Sequence, residues 1–209
     1  MEAIIVRAMF RNAVVLATVL CLPACSQEHK SAPETANAEA PAPATDKPFV
    51  DGGKIDFDLD GGAYEIKAAS DSHIRVAVSG TTGNAKVDVG IEGNNATIKV
   101  KDTPHSNFRA IVEVPAKSDL VVRLTGGELT VDQIIGNKDV ESYGGNVRVA
   151  VGDPSEYARV DAAVKAGEIK AQPFGGSKSG LLQEFTWSGG GKYTLRAHLG
   201  AGNLVLGSQ

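Results

Sequence analysis

Cysteine is nearly absent from this 209-residue chain and occurs only at Cys21 and Cys25. The chain beyond residue 25 therefore offers no disulfide, no thiol nucleophile and no cysteine metal site. Aromatic residues make up only 5% of the sequence. Basic residues do not cluster and the net charge is −4, which argues against the basic stripe of a nucleic-acid groove. We predict no nucleic-acid partner.

Catalytic and cofactor motifs are also lacking. His73, His105 and His198 have no spacing that would bring them together on zinc, and we expect each at the surface. No Gly-x-Ser-x-Gly nucleophile elbow occurs, and the glycine-rich stretch 175–180 lacks the spacing of a phosphate loop. The sequence predicts a non-enzymatic protein with no catalytic residue and no cofactor.

The first 24 residues read as a signal peptide. Arg7 and Arg11 give a positive start, and the segment from residue 13 to residue 22 is apolar but too short to span a bilayer comfortably. The segment Leu22-Pro23-Ala24-Cys25 resembles the lipobox of bacterial lipoproteins. That resemblance implies cleavage before Cys25 and acylation of its thiol. The alternative is an ordinary secretory signal with an incidental cysteine, and Met9 is a second candidate start beside Met1.

The resemblance to lipoproteins also implies a location. Several acyl chains on Cys25 would hold the protein on a membrane. The next residue is Ser26 rather than the aspartate that retains Gram-negative lipoproteins at the inner membrane, so we expect the outer membrane, on its periplasmic or outer face. Residues 25–48 are rich in Ala, Pro, Glu and Thr and cannot bury enough apolar surface to fold. They are predicted to be a disordered tether.

From residue 49 to residue 209 the sequence predicts one all-β domain. The chain holds 24 glycines, and a short unit of glycine followed by alternating apolar residues recurs. The units Gly127–Val131 and Gly145–Val149 lie 18 residues apart, and weaker copies occupy Gly167–Ala171 and Gly202–Leu206. Alternation buries one face of a strand, and a unit this short must stack on its neighbours. We therefore predict a β-solenoid, or β-helix-like stack of short strands.

Apolar alternation persists through most of this domain and predicts fourteen strands. Only residues 155–166 are ambiguous, because they also fit a helix capped by Ser155 and ended by Gly167. Strand is favoured, because the flanking segments are strands. The predicted strands are Ile55–Leu59, Tyr64–Ala68, Ile74–Ser79, Lys86–Ile91, Ala96–Val100, Arg109–Val114, Leu120–Thr125, Glu128–Asp132, Val140–Tyr143, Asn146–Val151, Arg159–Lys165, Glu168–Ala171, Tyr193–Leu199 and Leu204–Leu206.

The glycine units carry a family resemblance. Val114-Pro115, the runs 119–131 and 145–149, and the ending Gly200-Ala-Gly202-Asn-Leu204 resemble the putative-adhesin family of bacterial β-solenoid domains. The resemblance covers roughly Ile55 to Leu206 and implies a solenoid fold. The family has no agreed catalytic residues, so none is carried over.

One candidate metal site stands out. Asp56, Asp58 and Asp60, followed by Gly61, match the first half of a calcium-binding loop. The position that should hold a bidentate glutamate is Lys67. The alternative is a strand whose acidic face points to water, and we expect no metal.

Polar positions on the strands suggest how the domain acts. Trp187 and Phe185 share a strand face and are expected to close the core, the alternative being a platform for a sugar. The predicted function is adhesion or scaffolding in the bacterial cell envelope, with an envelope protein or a glycan as partner and a lipid holding the N-terminus on the membrane. The alternative is a polysaccharide-binding or polysaccharide-active β-helix protein. The ligand itself is not predicted. The polar row expected to meet the partner is Glu128, Thr130, Arg148, Lys170 and Arg196.

Overall fold

The computed structural model describes residues 45–207, which form one all-β domain. This part of the chain has thirteen strands, two short 3₁₀ helices at Pro154–Glu156 and Gln172–Phe174, and no α-helix. The predicted class, a single all-β domain, is confirmed. The strands are β1 (Thr45–Pro48), β2 (Gly53–Leu59), β3 (Gly62–Ala69), β4 (His73–Gly80), β5 (Lys86–Glu92), β6 (Asn95–Lys101), β7 (Phe108–Pro115), β8 (Ser118–Leu124), β9 (Gly127–Val131), β10 (Lys138–Ala150), β11 (Tyr157–Ala171), β12 (Gly176–Ser188) and β13 (Tyr193–Gly207).

All the strands belong to one sheet, which is nearly closed and barrel-like. Its centre is a stack of parallel rungs. A rung is a stretch of chain that consists of one strand segment (the first arm), a turn (the corner) and a second strand segment (the second arm). Two separate strands form the arms of some rungs, whereas β10, β11 and β13 each run through both arms. The parallel rungs stack in the order β6/β7, β2/β3, β8/β9, β10, β13 and β11.

An antiparallel rung covers each end of this stack. At one end β4 pairs with β7 and β5 pairs with β6, and β1 extends the second arm by pairing with β4. At the other end β12 runs antiparallel to β11 along both arms. The parallel rungs therefore lie between two reversed ones.

The register explains the repeat in the sequence. Gly127 pairs with Gly145, and Leu129 pairs with Val147, so the 18-residue repeat is one full step from rung to rung. The order of the later rungs in space differs from their order in the chain, because β13 lies between β10 and β11. The hairpin strand β12 takes one edge of β11, and the returning chain can then pair only with the other edge.

Glycine is required at the corners, where the backbones of neighbouring rungs come closest. A Cβ atom on Gly145 would lie 1.8 Å from the carbonyl oxygen of Gly127, and one on Gly202 would lie 1.8 Å from that of Gly145. The backbone there also has a positive φ, which side chains disfavour. The column of corner glycines is Gly62, Gly127, Gly145, Gly202 and Gly167.

A single apolar core fills the space between the two arms. Alternate residues point inward, as in β2, where Ile55, Phe57 and Leu59 are buried. On the second arm Leu129, Val147, Leu204 and Ile169 are buried in the same cluster. Burial of this kind stabilises the fold by about 25 cal/mol per Å² of apolar surface.

The ambiguous segment 155–166 is strand from residue 157 onward, as favoured. Asp153 caps one 3₁₀ turn at Pro154–Glu156 by accepting a hydrogen bond from the backbone N–H of Ser155 at 2.8 Å, and β11 then begins at Tyr157. The alternation of apolar residues, which favours a strand with other strands on both sides, therefore outweighs the capping residues that favour a helix.

Two strands lie where none was predicted. Strand β12 was missed because its first half, GSKSGLL, is exposed and shows no alternation. Strand β1 occupies Thr45–Pro48, which the sequence places at the end of the tether, and it pairs with β4.

Candidate functional site

A groove lies where the first arm meets the corner, and we call it the corner groove. It encloses about 420 Å³. The side chains lining it include two carboxylates, two cations, a histidine and a tyrosine. They are Asp58, Arg123, Glu141, Tyr143, Lys165 and His198.

Neighbouring rungs bring four of the groove residues into one column. Ser142 and Val164 both pair with Leu199, so the residues that follow these three also lie side by side. The column is Thr125, Tyr143, Gly200 and Lys165. Tyr143 and Lys165 thus stand two rungs apart, with Gly200 between them.

Two members of the column shape its surface. Tyr143 is 83% exposed, although tyrosine is usually of intermediate burial. A Cβ atom on Gly200 would lie 2.2 Å from the carbonyl oxygen of Tyr143, so no side chain fits at position 200. The groove therefore has a flat floor beside a freely projecting ring.

An ion-pair network covers the outer face of the first arm next to the groove. The Arg123 guanidinium lies 3.0 Å from Asp139 and 3.3 Å from Glu141. The Arg196 guanidinium lies 2.9 Å from Asp139 and also pairs closely with Glu141. Each carboxylate therefore lies between two cations.

These contacts keep the network charged. Partial burial works to raise the pKa of Asp139, but hydrogen bonds from Arg123 and Arg196 outweigh it and hold this pKa below its usual value. The hydrogen bond to Glu141, helped by Asp139, raises the pKa of Arg196. Asp139 is therefore ionised at neutral pH and serves as a hydrogen-bond acceptor rather than as an acid.

His198 extends the network across the next rung. Its Nδ1 lies 3.0 Å from Nη2 of Arg196, and its Nε2 lies 3.1 Å from Asp161. A guanidinium can only donate, so Nδ1 accepts and Nε2–H donates to the carboxylate. Both contacts fit the neutral ring protonated on Nε2.

Lys165 differs from these groups. Within residues 45–207 its ammonium group has no ion-pair or hydrogen-bond partner. It lines the groove on the side of Gly200 opposite Tyr143. The corner groove thus holds one cation that is not neutralised by a neighbour.

The outer face of the second arm carries a second polar surface, separate from the corner groove. A shallow depression of about 480 Å³ there includes Glu128, Asn146, Arg148 and Lys170. The Asn203 side chain donates to Asn146 at 2.9 Å, which forms a short amide ladder along the stack.

The polar row expected from the sequence is divided between the two arms. Glu128, Thr130, Arg148 and Lys170 lie together on the second arm, whereas Arg196 belongs to the ion-pair network of the first arm. The sequence could not separate them, because the two arms of a rung alternate in the same way.

The three aspartates of the candidate calcium loop face lysines. Asp56 lies 2.9 Å from Lys54. Asp58 and Asp60 lie 2.7 and 3.0 Å from the Lys101 ammonium group, and the hydrogen bond to Asp58 raises the pKa of that lysine. No group of three or more His, Cys, Asp or Glu side chains among residues 45–207 is placed to hold a metal ion.

Trp187 lies at the end of the core, on β12. Its ring is 5.0 Å from that of Phe174, and Phe174 makes an edge-to-face contact with Tyr157 at 5.8 Å. Phe185 packs against the same cluster. Trp187 thus contributes to closing the core, as expected.

The remaining sequence candidates lie at the domain surface or outside the described residues. His73 begins β4 near Asp71, and His105 lies in the loop before β7. Cys25, the signal peptide and the tether up to residue 44 lie outside residues 45–207. Within the described part of the chain, no helix has the length and apolar character needed to cross a bilayer.

The described part of the domain contains a buried lysine that was not predicted from the sequence. Lys138 is only 2% exposed and occupies an inward position, paired with Leu120 and Leu195. Its Nζ donates to the carbonyls of Ile134 and Gly136 and to the Tyr157 hydroxyl. The 18-residue repeat could have revealed it, because Lys138 stands one repeat after Leu120.

Comparison with known proteins gives a distant structural similarity. No protein-family model matches the sequence, and no curated protein sequence matches it. Among solved structures, a crystal structure from Clostridium sporogenes named as a "putative cell adhesion protein" is similar, with a TM-score of 0.47 and 14% identity. The match covers 79% of this chain and 98% of that chain. The family resemblance stays a prediction.

Proposed function

We propose that the protein is a non-enzymatic lipoprotein of the bacterial cell envelope, anchored through Cys25. In this proposal the parallel rungs are the turns of a β-solenoid, and its outer faces bind a partner in adhesion or scaffolding. The proposed location is the outer membrane.

The observation that carries the proposal is the in-register stack of rungs with charged outer faces. Equivalent residues recur at about 4.8 Å along the stack, and apolar side chains fill the interior. The outer faces are therefore the surfaces on which a large partner can bind. Their charges are held in fixed positions by neighbouring rungs, as for Arg123 and Arg196 around Asp139.

The electrostatics favour binding over proton transfer. A general acid needs a pKa near the working pH, whereas the Asp139 pKa is held below its usual value. Fixed carboxylates and guanidinium groups instead offer directional hydrogen bonds to a polar partner.

The corner groove favours a second candidate, polysaccharide binding or processing. An exposed aromatic ring beside fixed polar groups is a suitable surface for a sugar. Release of new reducing ends from a polysaccharide would identify processing, whereas saturable binding without release would identify a binding protein.

The anchor is tested by Cys25→Ala. We expect the wild-type protein to partition into the detergent phase in a detergent phase separation of whole cells, because acyl chains enter detergent micelles. We expect Cys25→Ala in the aqueous phase. Cys21→Ala is the matched control, since it removes the other leader cysteine, and should behave as the wild-type protein does. Recovery of Cys25→Ala in the detergent phase at the wild-type level would contradict the lipid anchor.

A further inference from the structure

We propose that the corner groove is a binding subsite for one acidic sugar unit of an extended polysaccharide. The sugar ring stacks on Tyr143 and lies over Gly200, and its carboxylate pairs with Lys165. This inference rests on the proposed function, of which it names the ligand class.

Tyr143 provides the stacking surface. Its ring is exposed, so a ligand can cover it without displacing a neighbouring side chain. The apolar faces of sugar rings pack on aromatic rings, and the Tyr hydroxyl remains free for a polar contact. A planar ring also loses little conformational freedom when it is covered.

Gly200 provides the space. Tyr143 and Lys165 stand two rungs apart, or about 10 Å at the spacing of neighbouring strands. The position between them holds no side chain, and the contact with the Tyr143 carbonyl forbids one. The gap therefore leaves room for a sugar ring between the tyrosine and the lysine.

Lys165 provides the charge preference. The other cation of the groove, Arg123, is already paired with Asp139 and Glu141. Lys165 has no such partner within the described residues, so a carboxylate on the ligand would gain an ion pair without displacing another. The groove therefore favours a sugar acid over a neutral sugar.

The direction of the groove favours a glycan over a peptide strand. An extended peptide usually binds by adding a strand to a free sheet edge. The rungs under the groove, β8, β10, β13 and β11, are paired on both edges. A chain that crosses these rungs must therefore be recognised by side chains, and Thr125 continues the column beyond Tyr143 for a second unit.

The test is calorimetric titration of residues 25–209 with a hexamer of galacturonic acid, the protein being produced without the first 24 residues and with Cys25→Ala so that it carries no acyl group. We expect saturable binding, weakened by salt. Tyr143→Ala should weaken it about tenfold, whereas Tyr143→Phe, which keeps the ring, should retain it. Lys165→Gln should weaken it about fivefold and leave any binding of the uncharged cellohexaose unchanged. Lys99→Gln, an exposed lysine outside the groove, is the matched control and should bind as the parent does.

Three results would overturn the inference: no binding of the galacturonate hexamer, equal binding by Tyr143→Ala, or equal binding of the acidic and neutral hexamers. Circular dichroism of each variant excludes unfolding as the cause of a loss. These results are independent of the detergent partition of Cys25→Ala, so the lipid anchor stands or fails separately from the acidic-sugar subsite.

Discussion

Lys138 is a charged residue at an inward position of the first arm. Every neighbouring position in its column on the first arm is apolar, yet here a lysine is buried and its ammonium group donates to two carbonyls and a hydroxyl. Burial lowers its pKa to about 8, against the opposing effect of Glu156 and Asp119. The cost of burying the charge is thus only partly offset by its hydrogen bonds.

This predicts a stability that increases with pH. Between pH 8 and the ordinary lysine pKa of 10.5, the unfolded chain binds more protons at residue 138 than the folded chain does, so the free energy of unfolding rises with pH. We expect a gain of about 2 kcal/mol between pH 7 and pH 10, measured by urea unfolding. Burial raises the pKa of Tyr157 to about 12, which opposes the gain only above pH 10.

Lys138→Met is the matched variant for this measurement. It removes the titrating group while keeping a similar length, so we expect its unfolding free energy to lack the rise between pH 7 and pH 10. A rise of the same size in Lys138→Met would show that other groups cause it.

At the scale of the element, the rung depends on its corner. Gly145 has φ +112°, and a Cβ atom there would meet the Gly127 carbonyl. We expect Gly145→Ala to lower the free energy of unfolding by about 2 kcal/mol or more, measured by urea or thermal unfolding. Gly90→Ala on β5 is the control, because no atom lies within 4 Å of its added Cβ, and its effect should stay within about 0.5 kcal/mol. Equal stability of the two variants would contradict the role of the corner.

The sequence predicts the strands of each rung well, but it predicts poorly which rungs lie next to each other. Apolar alternation predicts the strands, and the 18-residue repeat predicts the pairing of Gly127 with Gly145. Both patterns depend on local spacing in the sequence. The corner groove depends on Tyr143 lying beside Gly200, 57 residues away. That contact follows from β13 entering between β10 and β11, which no local pattern encodes. Strand β12 was missed for a local reason, since its exposed first half shows no apolar alternation.

At the scale of the whole molecule, a reversed rung covers each end of the parallel stack. A stack of parallel strands with open ends would tend to pair with other copies. At one end the outer strand β5 carries Lys86, Asp88 and Glu92, and charges of this kind discourage edge pairing. At the other end β12 carries Lys178, whose ammonium group reaches the carbonyl of Glu184 on the same strand.

The most direct test of the proposed function is co-sedimentation of the soluble Cys25→Ala chain with isolated cell envelopes from cells that lack the protein. We expect saturable binding that salt weakens, because the outer faces carry charged groups. Binding should persist without the anchor, since the partner meets the folded domain. A protein that stays in the supernatant at every envelope concentration would contradict a role in adhesion or scaffolding through these faces.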